Sequence, residues 1–561
     1  MKEKAGRVLA GSLGDCVHVA GVTRFLNIAD EAGYQTHFTG PATDPEAFVD
    51  AILAFDPDVI GISYRLTPEN ARTLLHELRG MLAAAGILGR KRVFFGGTPP
   101  VAAVAREFDY FDAIFSGEEA PHQVRLALEG KATEGTAPTD FPQRAIERIR
   151  WKAPYPLLRH HFGIPAQTIA PTVEGIARIA EAGVLDVISL GADQDAQEHF
   201  FRPAQQDPRS KGAGGVPFRT EEDLQELYQA SRRGNYPLLR SYSGTADHLR
   251  YADMLARTIN NAWCATSLFW FNAMDGRGPS PLERSIHEHQ KLMQWHGERD
   301  IPVEGNESYH WGMRDAPDVV VCASAYLYAH NARRCGVRDY IMTYMFQSPP
   351  QLSNAMDLAR ALAIVELTEG FAAEDFRIWR QTRTGLLSYP VSPQRARAHL
   401  AQSTMLQMAL RPHIIHVVGY TEADHAATAE EVIESAMMTQ EVVETALRGN
   451  PDMSADPVVQ RRKAQLIEQT MVLLAAIRAL GDGEPDPLAS PRVLAQAVAH
   501  GLLDAPQLAN NAYAPGRIRT RSIGGAMWPV GKNGEPLEEE TRLSQLRAMS
   551  GAASPEPGTP D

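Results

Sequence analysis

Residues 7–21 read RVLAGSLGDCVHVAG, a short apolar run that leads into a loop rich in glycine and polar residues. An apolar run of this length is typical of a buried β-strand, and a loop directly after a parallel strand is a common place for functional side chains. The stretch Val22–Ala32 then has the periodicity of an amphipathic helix and ends at Gly33, a residue suited to the position after a helix end. These residues predict a strand–loop–helix unit.

The same unit recurs along residues 6–130. Strands are predicted at Arg7–Ala10, Tyr34–Thr39, Asp58–Ser63, Arg92–Phe95 and Ala113–Ser116. Five strands that alternate with helices predict a doubly wound parallel sheet. We therefore predict an α/β domain of flavodoxin-like topology over residues 1–132.

The rest of the chain divides by composition into three further segments. Residues 133–165 are rich in small residues, prolines and charges, which predicts a linker. Residues 166–448 again alternate strands and helices, and repeated βα units of this total length predict a TIM (β/α)8 barrel, with a large open α/β sheet as the alternative. Residues 449–561 are expected to form a small C-terminal accessory region.

Six strands of the predicted barrel can be placed, and two more are assumed. The six are Asp186–Leu190, Pro237–Ser241, Ser267–Asn272, Ile301–Glu304, Asp339–Thr343 and His413–Val418.

Composition excludes several classes of protein. The 561 residues carry 55 basic and 68 acidic side chains, a net charge of −13, and no Lys/Arg-rich run, so nucleic acid and anionic membranes are poor partners. The four cysteines form no CxxC pair, which argues against a disulfide scaffold and against an iron–sulfur or radical-SAM cluster. Neither a signal peptide nor a membrane span is recognisable, so we expect a cytoplasmic protein.

Three features follow the ends of predicted strands in the N-terminal domain: His18-x-x-Gly21, Ser63 and the pair Gly96-Gly97. In an open α/β sheet, ligands bind in the crevice outside these strand ends. At these spacings the residues resemble the cobalamin-binding domain of corrinoid enzymes. The resemblance implies that His18 is the lower ligand of cobalt, that Ser63 hydrogen-bonds the nucleotide tail, and that the glycines leave room for that tail beside the backbone.

The family's pattern places an aspartate two residues before the histidine. Here Asp15 lies three residues before His18, and Cys16 occupies the family's aspartate position. A carboxylate on the far nitrogen of a metal-binding histidine sets its tautomer and basicity. The resemblance therefore adds both Asp15 and Cys16 to the predicted cofactor-binding residues. The alternative is a flavodoxin-like domain that keeps the fold alone.

Runs of polar residues also follow three predicted barrel strands, at residues 240–247, 306–311 and 420–425. The carboxyl ends of barrel strands are where catalytic residues lie, although a polar loop with a satisfied ion pair is the alternative for each run.

These runs resemble, in order, segments of the epsilon (catalytic) chain of methylaspartate mutase, also called glutamate mutase. The likeness rests on Arg240-x-x-x-Gly-Thr-x-Asp, on Pro281–Ser285, on Asn306-Glu307 and on Glu422-Ala423. It implies a cobalamin-binding domain fused to a barrel that works with adenosylcobalamin. In that chemistry the cobalt–carbon bond breaks homolytically, the adenosyl radical takes a substrate hydrogen, and the carbon skeleton rearranges.

The resemblance also assigns roles. Arg240 would grip a substrate carboxylate, Glu307 would meet the substrate's amino group or move a proton, and Glu422 would contact the adenosyl ribose. Tyr309, with Trp311, could line an apolar pocket and completes the predicted catalytic set.

The chain departs from the family at the substrate arginines. The family holds the two carboxylates of glutamate with three arginines, whereas here Gln197 and Gln294 stand near two of those positions and Arg240 near the third. We therefore predict a related isomerase that acts on a different small amino or carboxylic acid, with one carboxylate. A homodimer is expected by analogy with barrel mutases.

Two alternatives remain for the function. One is a methylcobalamin-dependent methyltransferase, which is disfavoured because few residues precede the first strand, where such proteins carry a helical cap. The other is a non-catalytic corrinoid-binding regulator, which is disfavoured by the long barrel with arginine and glutamate at its strand ends.

Overall fold

The computed structural model describes residues 6–117, 119, 121–131, 141–242 and 244–551. The chain divides into two units, Met1–Phe141 and Pro142–Asp561. In the part of the chain that the structure describes, no helix has both the length and the hydrophobicity that a bilayer span requires.

The N-terminal unit contains a five-stranded parallel sheet with the strand order β2-β1-β3-β4-β5. Its strands are β1 (Arg7–Ser12), β2 (Gln35–Phe38), β3 (Val59–Ser63), β4 (Arg92–Gly96) and β5 (Ala113–Phe115). Its helices are α1 (Ala20–Glu31), α2 (Pro45–Phe55), α3 (Pro68–Ala84), α4 (Pro99–Ala105) and α5 (Pro121–Leu128). This order reverses direction between β1 and β3, which confirms the predicted flavodoxin-like topology.

Helices cover both faces of this sheet, so its central strands β1, β3 and β4 are apolar on both sides, whereas the edge strand β2 (QTHF) is mostly exposed. One cluster of buried side chains includes Leu9, Ile60, Ile62 and Phe95. The cluster on the other face includes Val8, Ala10, Val59 and Phe94. Each fully buried large apolar side chain contributes about 1.5–3 kcal/mol, and burial on both faces explains why these strands read as unbroken apolar runs.

The second unit contains eight parallel strands in the order β8-β7-β6-β13-β12-β11-β10-β9. They are β6 (Leu157–Phe162), β7 (Val187–Leu190), β8 (Leu238–Arg240), β9 (Cys264–Thr266), β10 (Val303–Gly305), β11 (Asp339–Phe346), β12 (Arg377–Thr384) and β13 (Ile414–Val417). The end strands β8 and β9 approach each other, because the N–H of Ala262 donates to the carbonyl of Leu239 at 2.9 Å. The sheet is thus a nearly closed barrel, as a TIM barrel requires.

Helices alternate with these strands and continue beyond them. They are α6 (Ala145–Lys152), α7 (Ala170–Ala182), α8 (Gln194–Glu198), α9 (Glu221–Ala230), α10 (His248–Ile259), α11 (Leu282–Gly297), α12 (Glu307–Gly312), α13 (Asp318–Arg334), α14 (Asn354–Glu369), α15 (Pro393–Gln407), α16 (Ala429–Arg448), α17 (Pro457–Ala479), α18 (Pro491–Ala499) and α19 (Glu539–Gly551). An antiparallel hairpin of β14 (Thr520–Ile523) and β15 (Ala526–Pro529) lies between the last two helices.

Two predictions about this unit are wrong. The predicted linker 133–165 contains α6 and β6, and β6 pairs with both β7 and β13, so the barrel begins earlier than expected; residues 132–140 lie outside the described residues. The strand predicted at Ser267–Asn272 is instead a loop after β9. The N–H groups of Leu268 and Phe269 donate to the carboxylate of Glu307 rather than to a neighbouring strand.

The interior of the barrel changes from apolar to ionic along the strands. Near the amino ends, an apolar layer against α6 is formed by Leu157, Val187, Leu238, Trp263, Ile341 and Ile414. Because side chains alternate along a strand, residues two positions later face the interior again. Those residues include Arg159, Ser189, Arg240, Thr343, Gln381 and His416. The polar half of the barrel is therefore the half toward the carboxyl ends.

The C-terminal region packs onto the barrel helices. Leu466 and Leu473 of α17 belong to the same buried cluster as Val320 of α13. Arg462 of α17 also donates to the buried carboxylate of Asp318 at 2.9 Å. Residues 449–551 are thus part of the second unit rather than a separate accessory body.

Candidate functional site

A cavity of about 470 Å³ lies at the carboxyl ends of β3, β4 and β5, beside α1. Its volume is within the range of about 300–1,000 Å³ that small-molecule sites occupy. His18, Gly21, Ser63, Gly96 and Gly97 all line it. The structure therefore brings together five of the predicted cofactor-binding residues around one cavity.

The walls of this cavity are aromatic, and its polar groups lie at the strand ends. Phe94 contacts Phe25 and Phe115 edge-to-face, with ring centroids 6.2 and 5.9 Å apart. Glu119 also lines the cavity and accepts hydrogen bonds from the backbone N–H groups of Ser116 and Gly117 at 2.8 and 2.9 Å. An apolar slot with a few fixed polar groups suits a planar aromatic base attached to a polar chain.

The three predicted glycines contribute in different ways. A Cβ at Gly21 or at Gly96 would meet no atom within 4 Å, so the space beside both residues is open. A Cβ at Gly97 would instead lie 2.7 Å from the carbonyl oxygen of Tyr64. Gly96 thus leaves room for a ligand, whereas Gly97 is needed for the packing of the adjacent strand ends.

His18 lies on the loop between β1 and α1 with an exposed side chain. The hydroxyl of Ser12 donates to the His18 carbonyl at 2.9 Å, which holds the main chain of the loop. The imidazole has no hydrogen-bond partner in the described ranges, so both ring nitrogens are available. Where the structure describes the chain, no group of three or more His, Cys, Asp or Glu side chains is placed so that it could hold a metal ion.

The structure separates the two residues expected beside His18. Asp15 is exposed and forms no hydrogen bond with His18. Cys16 is fully buried in the cluster with Leu13 and Phe48, outside the residues that line the cavity. Cys16 is therefore a core residue, and the prediction that it binds the cofactor is corrected, because its position in the loop points the thiol into the packing against α2 and α3.

In the barrel, the ionic half is organised around Glu304 of β10. One of its carboxylate oxygens accepts from Arg159 at 3.3 Å, and the other accepts from Arg240 at 2.9 Å and from the indole of Trp263 at 2.6 Å. The carboxylate is fully buried, yet these cations hold its pKa at about 2, below the ordinary 4.5, against the opposing effect of burial. Glu304 thus links β6, β8 and β10 as a permanent anion.

These contacts bear on the prediction that Arg240 binds a substrate carboxylate. Its side chain is completely buried, and one guanidinium nitrogen is bound to Glu304. Its Nε and other terminal nitrogen have no partner, and its guanidinium lies 4.9 Å from the ring centroid of Tyr242. Arg240 is therefore held in the interior network by its bond to Glu304, and because it is 0% exposed, its two unpartnered nitrogens are less accessible to a substrate carboxylate than a partly exposed guanidinium would be.

The carboxylate of Glu307 is also hydrogen-bonded to other residues of the protein. Its carboxylate accepts hydrogen bonds from the Ser267 hydroxyl at 2.5 Å, the Leu268 N–H at 2.7 Å and the Trp311 indole at 2.8 Å. Burial raises the pKa of Glu307, and these donors act in the opposite direction. The carboxylate connects the loop after β9 to α12. Its hydrogen bonds to the protein mean that it is not a free carboxylate that could meet a substrate amino group as predicted.

Tyr309 and Arg383 lie together at the carboxyl end of the barrel. The guanidinium of Arg383, in β12, lies 5.7 Å from the ring centroid of Tyr309. Burial raises the pKa of Tyr309, so its hydroxyl stays protonated. Glu422, on the loop after β13, is exposed; partial loss of solvent around its carboxyl raises its pKa, and the charge of Arg383 opposes this.

Three buried histidines near this end of the barrel are neutral: His161 and His416 in the interior, and His160, which faces outward toward Gly419 and α16. Burial lowers the pKa of His160 to about 4 and lowers those of His161 and His416 well below 6.5, and the nearby guanidinium groups add to this effect. His161 forms a hydrogen bond of 3.0 Å with the hydroxyl of Tyr242 and stacks on its ring. Neutral imidazoles add hydrogen-bonding capacity to the barrel without adding charge.

Arg383 and Glu304 were not predicted as site residues from the sequence, whereas Asn306 belongs to the predicted polar run 306–311. Asn306, directly after β10, is buried, and its side-chain oxygen has no partner. Arg383 and Gln381 lie at alternate positions of a strand whose charged residues hide its apolar pattern. The signal that could have found them is this alternation between the helices α14 and α15.

A search of the curated proteins found no match. Among solved structures, a novel cobalamin-binding protein from Desulfitobacterium hafniense DCB-2 is 21% identical over 20% of this chain, with a TM-score of 0.18. The chain spans 53% of the length of that protein. Tryptophan synthase from Mycobacterium tuberculosis is 13% identical over 54% of this chain and 99% of its own, with a TM-score of 0.31.

A rubisco-like protein from Alicyclobacillus acidocaldarius is 12% identical over 58% of this chain and 72% of its own, with a TM-score of 0.32. A family model gives the assignment that bears on the N-terminal cavity. Residues 6–125 match the family described as B12 binding domain. The chain therefore carries a B12 binding domain of flavodoxin-like topology, followed by a nearly closed eight-stranded parallel barrel.

Proposed function

We propose that this protein is an adenosylcobalamin-dependent radical isomerase that rearranges the carbon skeleton of a small amino or carboxylic acid. The observation that carries the proposal is the combination, in one chain, of a B12 binding domain and a barrel whose interior is ionic toward the carboxyl ends of its strands. A cobalamin-binding regulator without catalytic activity would have no need of buried charges in a second unit.

The residues around the N-terminal cavity fit the cofactor. The open space at Gly96 and Gly21 and the aromatic walls would hold the nucleotide tail, and Ser63 at the end of β3 could donate a hydrogen bond to it. The unpartnered imidazole of His18 would be the lower ligand of cobalt. When bound, adenosylcobalamin supplies the organic radical that starts the rearrangement.

The barrel's own residues would bind and orient the substrate. The Arg159–Glu304–Arg240 network holds three strands in fixed positions, which keeps the site rigid. The hydrogen-bonded pair of His161 and Tyr242 would hold a proton near the site. Glu422, exposed on the loop after β13, remains the proposed contact for the adenosyl ribose.

The decisive experiment is reconstitution of the full chain with adenosylcobalamin in the presence of candidate amino and carboxylic acids. We expect an EPR signal from an organic radical coupled to cobalt(II) with the correct acid. Methyl transfer from methylcobalamin without a radical would support the methyltransferase instead, and cobalamin binding with neither activity would support a regulator. No binding of cobalamin would refute the proposal.

A separate test addresses the substrate. L-Glutamate should not be converted efficiently to 3-methylaspartate, because Gln197, on the helix after β7, stands near a position where glutamate mutase has an arginine, whereas Gln294 lies on the exposed face of α11 and contributes no charge to the site. Each lost charged hydrogen bond is worth about 1.5–3 kcal/mol. Rapid turnover of L-glutamate would refute the altered substrate while leaving the isomerase in place.

A further inference from the structure

Arg383 is a buried cation that forms no ion pair within the described part of the chain; the carboxyl of Glu422, on the loop after β13, interacts with it only at longer range. Its side chain is 5% exposed, and its Nε has no hydrogen-bond partner. Three other buried arginines of this unit are paired with carboxylates: Arg159 and Arg240 with Glu304, and Arg360 with Asp318. A buried charge without a counter-ion is costly, so an unpaired arginine here suggests that an anion arrives from outside.

The surroundings of Arg383 add positive charge rather than offset it. Arg159, Arg240 and Arg383 contribute three buried guanidinium groups, whereas the buried carboxylates of β10 and the residues after it are Glu304, bound by Arg159 and Arg240, and Glu307, bound by neutral donors. The three neighbouring histidines are neutral, and the carboxyl of Glu422 is exposed at the end of the barrel. The ligand-free interior therefore has an excess of positive charge at its carboxyl end.

The position of Arg383 also suits the capture of a ligand. Arg159 and Arg240 are 1% and 0% exposed and are tied to Glu304, whereas Arg383 lies at the last but one position of β12 and retains some exposure. The ring of Tyr309, 5.7 Å from its guanidinium, can restrain the side chain through a cation–π contact. The N–H groups of the guanidinium stay free to form a two-pronged contact with a carboxylate.

We propose that Arg383, and not Arg240, binds the carboxylate of the acid that enters the barrel. The inference rests on the proposed function in that this acid would be the substrate. One free guanidinium group predicts recognition of one carboxylate, and the rest of the acid would lie toward Tyr309 and the neutral histidines.

The test uses the full chain and matched acid–amide pairs as probes. Thermal unfolding is followed with L-2-aminobutyrate against L-2-aminobutyramide, and with butyrate against butyramide. The acids should raise the melting temperature of the wild-type protein, and the amides should not. In Arg383→Met the apparent affinity for the acids should fall at least about tenfold, and Arg383→Lys should restore part of it.

The ligand-free proteins provide the structural control. Arg383→Met should melt at or above the wild-type temperature, because it removes an unpaired buried charge. Arg240→Met should melt lower, because it takes a partner from Glu304. The inference is overturned if Arg383→Met melts below the wild type as Arg240→Met does, if it keeps the wild-type response to acids, or if no acid stabilises the wild type.

The two proposals fail in distinguishable ways. Stabilisation by acids that depends on Arg383, without a cobalamin-dependent radical, would refute the isomerase and keep the binding site. If Arg383→Met gives the radical EPR signal at the same acid concentrations as the wild type, the isomerase proposal stands and the role of Arg383 is refuted.

Discussion

Replacing Glu304 with glutamine should destabilise the barrel strongly although it changes the side chain by one atom. The substitution keeps the shape and one acceptor oxygen, but it leaves Arg159 and Arg240 without their shared counter-ion. Breaking a buried ion pair by removing one charge costs about 3–5 kcal/mol.

The pKa of Glu304 gives a second measure of the same interaction. Its pKa falls from 4.5 to about 2 in the folded protein, which corresponds to about 3 kcal/mol of stability. Because the folded-state pKa is the lower one, this stability is fully present above about pH 5 and is lost as the pH falls toward 2. The difference between wild type and Glu304→Gln should therefore shrink to about half between pH 7 and pH 3.

The measurement is urea unfolding of both proteins across this pH range, followed by tryptophan fluorescence. Glu181→Gln is the matched control, since Glu181 pairs with Arg233 at 3.2 Å on the surface with its side chain 60% exposed; it should cost less than about 1 kcal/mol. If Glu304→Gln stays within about 0.5 kcal/mol of the wild type at pH 7, or if the difference does not depend on pH, the central role of this carboxylate is refuted.

Three further predictions concern the N-terminal unit. His18→Ala should remove the nitrogen coupling from the EPR spectrum of bound cob(II)alamin, and an unchanged spectrum would show that another group is the lower ligand. Gly96→Val should weaken cobalamin binding at least tenfold in a titration, because the valine side chain would fill open space in the cavity, and it should change urea unfolding little. Gly97→Val should instead lower the free energy of unfolding by about 1–3 kcal/mol, since its Cβ would lie 2.7 Å from the Tyr64 carbonyl oxygen. Cys16→Ala should leave cobalamin affinity unchanged and cost about 1 kcal/mol in urea unfolding, whereas a large loss of affinity would return Cys16 to the site.

The sequence allows the N-terminal sheet to be predicted almost completely. Its central strands β1, β3 and β4 are buried on both faces and therefore have apolar sequences, whereas the edge strand β2 (QTHF) is mostly exposed; the structure confirms all five strands. Glycines after helices mark the boundaries, as at Gly33, where φ is 92°. The cavity follows from this order, because His18, Ser63 and Gly96 come after strand ends that meet at one edge of the sheet.

Three barrel strands, β6, β9 and β12, escaped prediction, and two of them, β6 and β12, carry charges into the interior. β6 reads LLRHHF and β12 reads RIWRQTRT, so polar residues occupy inward positions where an apolar pattern is expected. The opposite error occurred at residues 267–272, where an apolar aromatic run lies in a loop and is buried against Trp311. Sequence patterns report burial in apolar surroundings, and this interior is ionic where ligands are proposed to bind.

The resemblance located polar residues but not their partners. Arg240 and Glu307 lie at the ends of strands as expected, yet Arg240 donates a hydrogen bond to Glu304 and Glu307 accepts one from Leu268, both distant in the chain. Arg383 was overlooked because it lies within a strand rather than after one. Pairing of this kind depends on the three-dimensional contacts, which single-chain spacing does not contain.

The carboxylate of Glu304 imposes a constraint on how this barrel can evolve. Because it serves Arg159 and Arg240 at once, none of the three residues can be exchanged alone without leaving a buried charge unpaired. Related chains should therefore keep or lose all three together. Arg383 has no ion-pair partner among the described residues. The residue at this position of β12 can therefore change, and with it the preferred ligand, while the other interior charges are retained.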